Sequence, residues 1–210
     1  MPDDPSIGIL KMPMGTLRSV HNALHENGFD PVFVDRECDF DDLTHLIVPG
    51  VGNFKAVMHH LAEAGLVERI RDFAASGRPL LGICAGMQLL AMRGTEGGDT
   101  EGLQLVDGVV DRLPGEDGLV LPHVGWSSVT FRHHHPILEG VKPGRDFYFV
   151  HSYAMQVEES EEALGSTEYG IPFVSIVGKA NVVGFQFHPE KSQANGLKLL
   201  ENFGWWDGSC

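Results

Sequence analysis

The sequence predicts an α/β fold built on an open, twisted, mostly parallel sheet with helices on both faces and an antiparallel portion. Through about the first hundred residues, short apolar runs alternate with helical stretches, which is the β-α-β pattern of a parallel sheet. Later strand-like runs follow one another with only turns between them, which indicates antiparallel pairing. A length of 210 residues and a hydrophobic content of 42% suit one core. Because no repeat or linker stands out, we expect a single domain over residues 1–210.

The first half is assigned from its apolar runs and from the signals that end helices. Asn27-Gly28 ends the first predicted helix, because glycine commonly follows the last helical residue. Gly65 is the expected break in the long helical pattern before the fourth strand. In chain order the predicted elements are strand 7–10, helix 17–26, strands 31–34 and 46–48, helical region 54–76, strand 79–83 and helix 87–92.

The second half is predicted to be mainly β-structure, closed by one helix. Its runs alternate apolar and polar residues at the period of a half-buried strand. In chain order the predicted elements are strands 103–113, 119–131, 146–153, 172–178 and 182–187, and a helix near 193–202. These strands account for the antiparallel portion of the predicted sheet.

A cysteine flanked by glycines is the leading candidate nucleophile. In Gly82-Ile83-Cys84-Ala85-Gly86, Cys84 lies between a predicted strand and a predicted helix, with the spacing of a nucleophile elbow. The helix N-terminus favours a thiolate, and the Ala85 amide is placed to face a developing oxyanion. Taken alone, Cys84 is as readily a small buried hydrophobic residue, because free cysteine is among the most buried residue types.

The segment His188-Pro189-Glu190 supplies the candidate base and its orienting acid. Pro189 favours an extended backbone at His188, and side chains two apart on an extended segment share a face. We therefore expect Glu190 to bond one ring nitrogen of His188 and leave the other for the Cys84 thiol. The position at a strand end is where active sites of open α/β sheets collect.

Composition narrows the partners and the cellular compartment. The formal charge of -14 argues against nucleic acid and against an anionic membrane as binding partners, because both are negatively charged and repel an acidic surface. The chain has three cysteines, an odd number and too few for a disulfide framework. This composition is typical of a protein of the reducing cytoplasm. The N-terminus lacks the basic and apolar regions of a signal peptide, and no apolar span reaches membrane length. We expect a soluble, cytoplasmic protein.

Two other motifs are weaker. The loop 49–54 carries Gly50 and Gly52 after a predicted strand, so its amides are placed to face an anion, although a tight turn is the commoner role. It does not match the phosphate-loop pattern, and nucleotide binding is not supported. The run His133-His134-His135 is interpreted as a solvated loop, since consecutive residues rarely converge on one ion. No metal site is predicted.

Two segments together resemble the signatures of class I (triad) glutamine amidotransferases. They are 82–90, which reads GICAGMQLL, and 184–192, which reads GFQFHPEKS. Segments 49–54, 122–126 and 147–153 further resemble one branch of that family, the glutaminase subunits of imidazole glycerol phosphate synthases. The likeness runs in the right order from about residue 7 to residue 203.

The resemblance implies a chemistry for the three candidate residues. Cys84 attacks the carboxamide of glutamine, His188 serves as base and then as acid toward leaving ammonia, and Glu190 orients His188. It also implies an oxyanion hole and a substrate pocket. The oxyanion hole would be formed by Val51, Gly52 and Ala85, and glutamine would be held by Gly50, Gln88, His151, Ser152 and Tyr153.

The partner and acceptor are likewise implied by the resemblance. In this branch ammonia passes to a separate (β/α)8 cyclase subunit, where it reacts with a phosphorylated ribulose aminoimidazole nucleotide to give a histidine precursor. The glutaminase needs no cofactor. An acidic chain that does not touch the phosphorylated substrate fits this division of labour.

Three alternatives remain open from the sequence. The segment 11–16 departs from the pattern of many relatives, which favours an amidotransferase serving another acceptor, such as a sugar nucleotide in surface polysaccharide synthesis. Ala85 also stands where this branch usually has leucine. A non-catalytic regulatory relative is a second alternative, and a cysteine peptidase is a third, since Cys84 and His188 alone are compatible with peptide cleavage.

Overall fold

A nine-stranded mixed sheet forms the centre of the molecule. The structure is a computed structural model that describes residues 4–12, 17–50, 52–115, 119–157 and 160–209. The strands are β1 Ile7–Leu10, β2 Val32–Val34, β3 His45–Gly50, β4 Leu80–Cys84, β5 Ala91–Gly94, β6 Thr100–Glu101, β7 Val106–Arg112, β8 His123–Phe131, β9 Arg145–His151, β10 Tyr153–Val157, β11 Ala163–Tyr169, β12 Ile171–Lys179 and β13 Val182–Phe185. The α-helices are α1 Leu17–Glu26, α2 Phe54–Glu63, α3 Leu66–Ala75, α4 Ala85–Leu89 and α5 Gln193–Trp205.

The main sheet has a parallel half and an antiparallel half. Its strand order is β2-β1-β3-β4-β13-β12-β11-β8-β9. Pairing is parallel from β2 through β13 and antiparallel from β13 to β9. The predicted fold class is therefore confirmed. Because β4 and β13 are parallel neighbours, the chain segments that follow them leave the sheet at the same edge.

Helices cover both faces of the parallel half. Along β3 the Ile47 side chain enters one core with α1 and α5, whereas Leu46 and Val48 enter the other core with α2, α3 and α4. This division follows from the alternation of side chains along a strand. Among the described residues, no helix is both long enough and apolar enough to cross a membrane.

A second, four-stranded sheet of order β10-β7-β5-β6 was not predicted. The predicted helix 87–92 is wrong in its second half, because α4 ends at Leu89 and β5, a strand of this sheet, begins at Ala91. The carbonyls of Leu89, Leu90 and Ala91 accept hydrogen bonds from backbone amides of residues 103–106. Pairing with a distant segment thus overrides the helical composition. Strand β11 was also missed.

The turn between β4 and α4 packs directly against the end of β3. A Cβ atom on Gly86 would overlap the carbonyl oxygen of Val48, and a Cβ on Gly50 would overlap the amide nitrogen of Gly86. Only glycine at both positions allows this close approach of two backbones. The contact fixes the start of α4 beside the β3 end.

We predict that Gly86→Ala lowers the free energy of unfolding by at least about 2 kcal/mol, since the overlap is with backbone that has no rotamer to change. The better helix propensity of alanine offsets only about 1 kcal/mol. Urea unfolding measures the difference. The control is Gly115→Ala, where a Cβ meets no neighbouring atom among the described residues. Equal stability of the two variants would contradict the steric argument.

Candidate active site

Cys84 lies at the sharp turn that joins β4 to α4. Its backbone has φ 55° and ψ −114°, a conformation that residues with a side chain rarely adopt. Such strain persists only where the surrounding packing holds it, and here the glycine contacts described above do so. The turn places Cys84 immediately before the first residue of α4, as the glycine spacing predicts.

A cavity of about 350 Å³ opens beside Cys84. Eight of its lining residues belong to the predicted site: Gly52, Cys84, Ala85, Gln88, His151, Ser152, Tyr153 and His188. Three more were not predicted: Glu96, Pro122 and Val150. The structure therefore brings together residues from the ends of β4, β9 and β13 and from the loop after β3, as an open α/β sheet does at its carboxyl edge.

His188 and Glu190 form a buried pair. Nδ1 of His188 lies 2.9 Å from Oε1 of Glu190, and both side chains are almost fully buried. The geometry arises differently from the predicted extended segment, because residues Pro189–Lys191 form a 3₁₀ turn after an extended His188. Nε2 of His188 and Oε2 of Glu190 are buried and make no hydrogen bond within the described residues. That leaves Nε2 for proton exchange.

Ser192 holds this turn in place. Its hydroxyl donates to the carbonyl of His188 at 2.6 Å and accepts from the amide of Tyr148 at 3.0 Å. The His188 amide in turn donates to the Tyr148 carbonyl at 2.9 Å. These bonds join the His188 turn to β9, so the backbone that carries the imidazole is held in a fixed position relative to the cavity.

Charge and burial compete at His188. Burial disfavours the imidazolium, but interaction with the Cys84 sulfur and the Glu190 carboxylate outweighs it, so the pKa of His188 rises to about 9. His188 is therefore protonated at neutral pH. A protonated imidazole beside a thiol can stabilise a thiolate and can deliver a proton to a leaving group.

His151, the rival candidate for the base, has both ring nitrogens engaged. Nδ1 lies 2.8 Å from the carbonyl oxygen of Tyr153, which only accepts, so Nδ1 carries the proton. Nε2 lies 3.0 Å from Nδ1 of His123 and accepts from it, while Nε2 of His123 accepts from the Ser127 hydroxyl at 2.9 Å. Burial lowers the pKa of His151 to about 4, and His151 stays neutral.

Gln88 has a fixed orientation in the cavity wall. Its Nε2 donates to the carbonyl of Tyr153 at 2.8 Å and to Oε1 of Gln186 at 3.0 Å. Both N–H groups are thereby used, so the group that Gln88 can offer to a ligand is its carbonyl oxygen, an acceptor. The predicted binding role of Gln88 therefore requires a donor on the ligand, such as an ammonium or amide N–H.

Of the predicted site residues, Gly50 and Glu190 are not among the described residues that line the cavity, although Glu190 bonds His188, which does line it. Val51 lies outside the described residues. Gly50 packs against the backbone of Ala85 and Gly86. Its contact with the start of α4 is structural, and in the β3–β4 register Gly50 is paired with Cys84.

Sequence reasoning also missed several polar groups of the site. Gln186 and Ser192 are fully buried, and His123 is nearly so. A glutamine between two phenylalanines in a buried strand end was an available signal, since buried polar side chains need partners. Within the parts of the chain that the structure describes, no group of His, Cys, Asp and Glu is arranged to hold a metal ion.

Known proteins resemble this chain over most of its length. A family model described as "Glutamine amidotransferase class-I" matches residues 14–205. A protein of Symbiobacterium thermophilum called "Imidazole glycerol phosphate synthase subunit HisH" is 46% identical over 198 residues, covering 94% of this chain and 92% of the relative. Proteins of the same name from Moorella thermoacetica and Aquifex aeolicus are 44% and 45% identical, covering 94% and 93% of this chain and 93% and 94% of theirs.

Solved structures show the same fold at lower identity. A structure titled "Crystal structure of glutamine amidotransferase" superposes with a TM-score of 0.74 at 23% identity, covering 94% of this chain and 98% of that one. A chain from "Structure of PurLQS from Thermotoga maritima" gives a TM-score of 0.73 at 18% identity, covering 95% and 97%.

We predict that Glu190→Gln lowers the pKa of His188 by at least about one pH unit, because an amide does not attract the imidazolium as a carboxylate does. The loss of charge on the wild-type ring should occur near pH 9, and in the variant nearer to neutrality. Titration of the imidazole signals by NMR measures both values. Glu168→Gln, at an exposed position, is the matched control. An unchanged His188 titration in Glu190→Gln would contradict the pairing.

Proposed function

Because the chain belongs to the class-I glutamine amidotransferase family, we propose that it is the glutaminase subunit of an imidazole glycerol phosphate synthase. It is an enzyme that releases ammonia from glutamine and supplies it for histidine biosynthesis. The proposal covers residues 1–210 as one glutamine amidotransferase domain working in the cytoplasm, with no cofactor. The observation that carries the chemistry is that Cys84 and His188 line one cavity and that Glu190 bonds the His188 ring from behind.

Cys84 is the proposed nucleophile. Its sulfur forms a bond to the carboxamide carbon of glutamine, and the carbonyl π pair moves to oxygen. His188 then gives its Nε2 proton to the amide nitrogen as the carbon–nitrogen bond breaks, which yields ammonia and a γ-glutamyl thioester. A water molecule, deprotonated by the now neutral His188, attacks the thioester and releases glutamate. The raised pKa of His188 supports its role as the acid in the first half of this cycle.

The Glu190 carboxylate orients His188 through the 2.9 Å bond to Nδ1 and stabilises its charged form. The developing oxyanion is assigned to the loop that contains Val51 and Gly52 and to the Ala85 amide. Ala85 is the first residue of α4, so its N–H has no partner within that helix. This placement supports the oxyanion role.

Glutamine recognition is assigned to the cavity wall formed by Gln88, His151, Ser152 and Tyr153. The Gln88 carbonyl oxygen accepts from an N–H of the substrate. His151 helps to position the substrate and does not transfer protons, because its ring is neutral and both of its nitrogens are engaged in hydrogen bonds. Gly50 acts indirectly, through its contact with the α4 start.

The proposed partner is a (β/α)8 cyclase subunit that binds at the mouth of the cavity. The relatives are named as subunits of a synthase, which implies a second chain. Val124, Trp126, Tyr148 and Val150 form what we call the mouth patch: they lie on the outer face of the β8–β9 pair, and Val150 also lines the cavity. Exposed apolar side chains beside a cavity are typical of a protein interface. Ammonia leaving there would enter the partner directly.

We predict that Cys84→Ala abolishes glutamine-dependent synthesis by the complex and leaves ammonia-dependent synthesis largely intact. The reason is that the substitution removes the sulfur that attacks the carboxamide but touches nothing in the partner. Imidazole glycerol phosphate formation from glutamine or from ammonium salts measures the two activities. The control is Cys38→Ala, at an exposed cysteine outside the cavity. Loss of both activities in Cys84→Ala would identify Cys84 as structural and overturn its proposed role.

We predict that Trp126→Ala weakens binding of the cyclase subunit by at least about tenfold, because truncating a tryptophan at the centre of an interface costs about 2 kcal/mol or more and about 1.4 kcal/mol is tenfold. Trp126 is 48% exposed and rests edge-on against Tyr148. Calorimetric titration of the two subunits measures the affinity. The control, Trp205→Ala, removes a tryptophan that is 56% exposed on α5 and does not line the cavity. Equal affinities for both variants would place the partner elsewhere.

A further inference from the structure

Gln186 is buried beside the reacting sulfur and has no part in the mechanism so far. It follows β13 by one residue and precedes His188 by two. Its side chain is fully buried, and its Nε2 lies 3.9 Å from Sγ of Cys84, within the range of a hydrogen bond to sulfur. Its backbone amide donates to the carbonyl of Ser175 at 3.0 Å, which fixes the residue to β12.

The direction of the Gln186 amide is set by a backbone carbonyl two hydrogen bonds away. The Tyr153 carbonyl accepts only, so the Gln88 atom 2.8 Å from it is Nε2. The Gln186 atom 3.0 Å from Gln88 Nε2 must then be an acceptor, Oε1. The remaining terminal atom of Gln186, the one facing Cys84, is therefore the nitrogen. The sulfur is offered a donor and not an acceptor.

The two neighbours of the sulfur act on different protonation states. The Cys84 thiol can donate to the Val150 carbonyl at 3.8 Å while it accepts from Gln186. In the thiolate form, whose charge the protonated His188 balances, the Val150 carbonyl has nothing to accept, and the Gln186 N–H donates to the negative sulfur. Hydrogen bonds to a charged acceptor are stronger than neutral ones, and burial strengthens them further.

We propose that Gln186 is a further catalytic residue, whose amide N–H donates to the thiolate of Cys84 and holds the sulfur toward the cavity, with Gln88 fixing the amide in the donating orientation. This inference rests on the proposed role of Cys84 as nucleophile. Gln88 thereby acquires a second role, because one side of its amide group faces the ligand and the other fixes Gln186.

The test is the pH profile of Cys84 alkylation by iodoacetamide in the full-length chain, followed by mass spectrometry of the Cys84 peptide. Gln186→Met keeps the approximate length of the side chain and removes the donor. Gln186→Glu keeps the acceptor for Gln88 and turns an oxygen toward the sulfur. We expect alkylation at pH 7 to slow about tenfold in Gln186→Met and more in Gln186→Glu, with the midpoint of each profile moved up by about one pH unit or more. Gln156→Leu, at an exposed glutamine, should match the wild type.

Two results would overturn the proposal. One is a wild-type profile in folded Gln186→Met and Gln186→Glu. The other is an equal slowing at every pH with no movement of the midpoint, which would mean that Gln186 controls access only. If neither variant retains the wild-type thermal transition, the side-chain amide signals of Gln186 in the wild type decide: they should shift with the alkylation midpoint, and constancy would refute the bond.

The experiment uses neither glutamine nor a partner, so its outcome is separate from that of the proposed function. A chain whose Cys84 reactivity depends on Gln186 but whose complex makes no imidazole glycerol phosphate supports this inference and refutes the assigned acceptor.

Discussion

The contact between the end of β3 and the start of α4 is the constraint on which the site depends. With Gly50 and Gly86 in place, two backbones meet without side chains between them. This packing holds Cys84 at a positive φ, where the residue by itself would not stay. Gly52, two residues after the end of this contact, and Ala85 line the same cavity. The proposed nucleophile and the groups proposed for the oxyanion are thus positioned by one steric fit, before any polar interaction is considered.

Elements that depend on local patterns were predictable from the sequence. The predicted strand 7–10 and helix 17–26 agree with β1 and α1, and the break at Gly65 separates α2 from α3. The predicted helix 87–92 failed because carbonyls near Leu90 pair with amides more than ten residues later in the chain, information that no local window contains. The second sheet and β11 escaped prediction for the same reason: their identity comes from strand partners that are distant in sequence.

The residues of the candidate site likewise divide into those that local motifs predict and those that only tertiary packing reveals. Cys84, His188 and Glu190 were identifiable because each stands in a short motif whose residue types suggest the chemistry. Gln186 and His123 were not, since each finds its partner, Gln88 on α4 or His151 on β9, only when the folded chain brings the two within about 3 Å. The position of His188 relative to Glu190 was expected from extended backbone but is produced by a 3₁₀ turn. Motifs therefore indicated the residues proposed to react, and tertiary packing determined the groups that orient them.

The one-way order of hydrogen bonds from Ser127 through His123 and His151 to the Tyr153 carbonyl makes these rings a natural spectroscopic reporter. Each ring holds a single proton at Nδ1, shielded from water by burial, so that the two protons exchange slowly and give distinct resonances. Ser127 adjoins Trp126 of the mouth patch, whereas Tyr153 borders the cavity. Binding of a protein at the mouth patch therefore affects the Ser127 end of this hydrogen-bonded series, and binding of a ligand in the cavity affects the Tyr153 end. Both events are detectable as shifts of the two Nδ1 proton resonances in the unmodified protein.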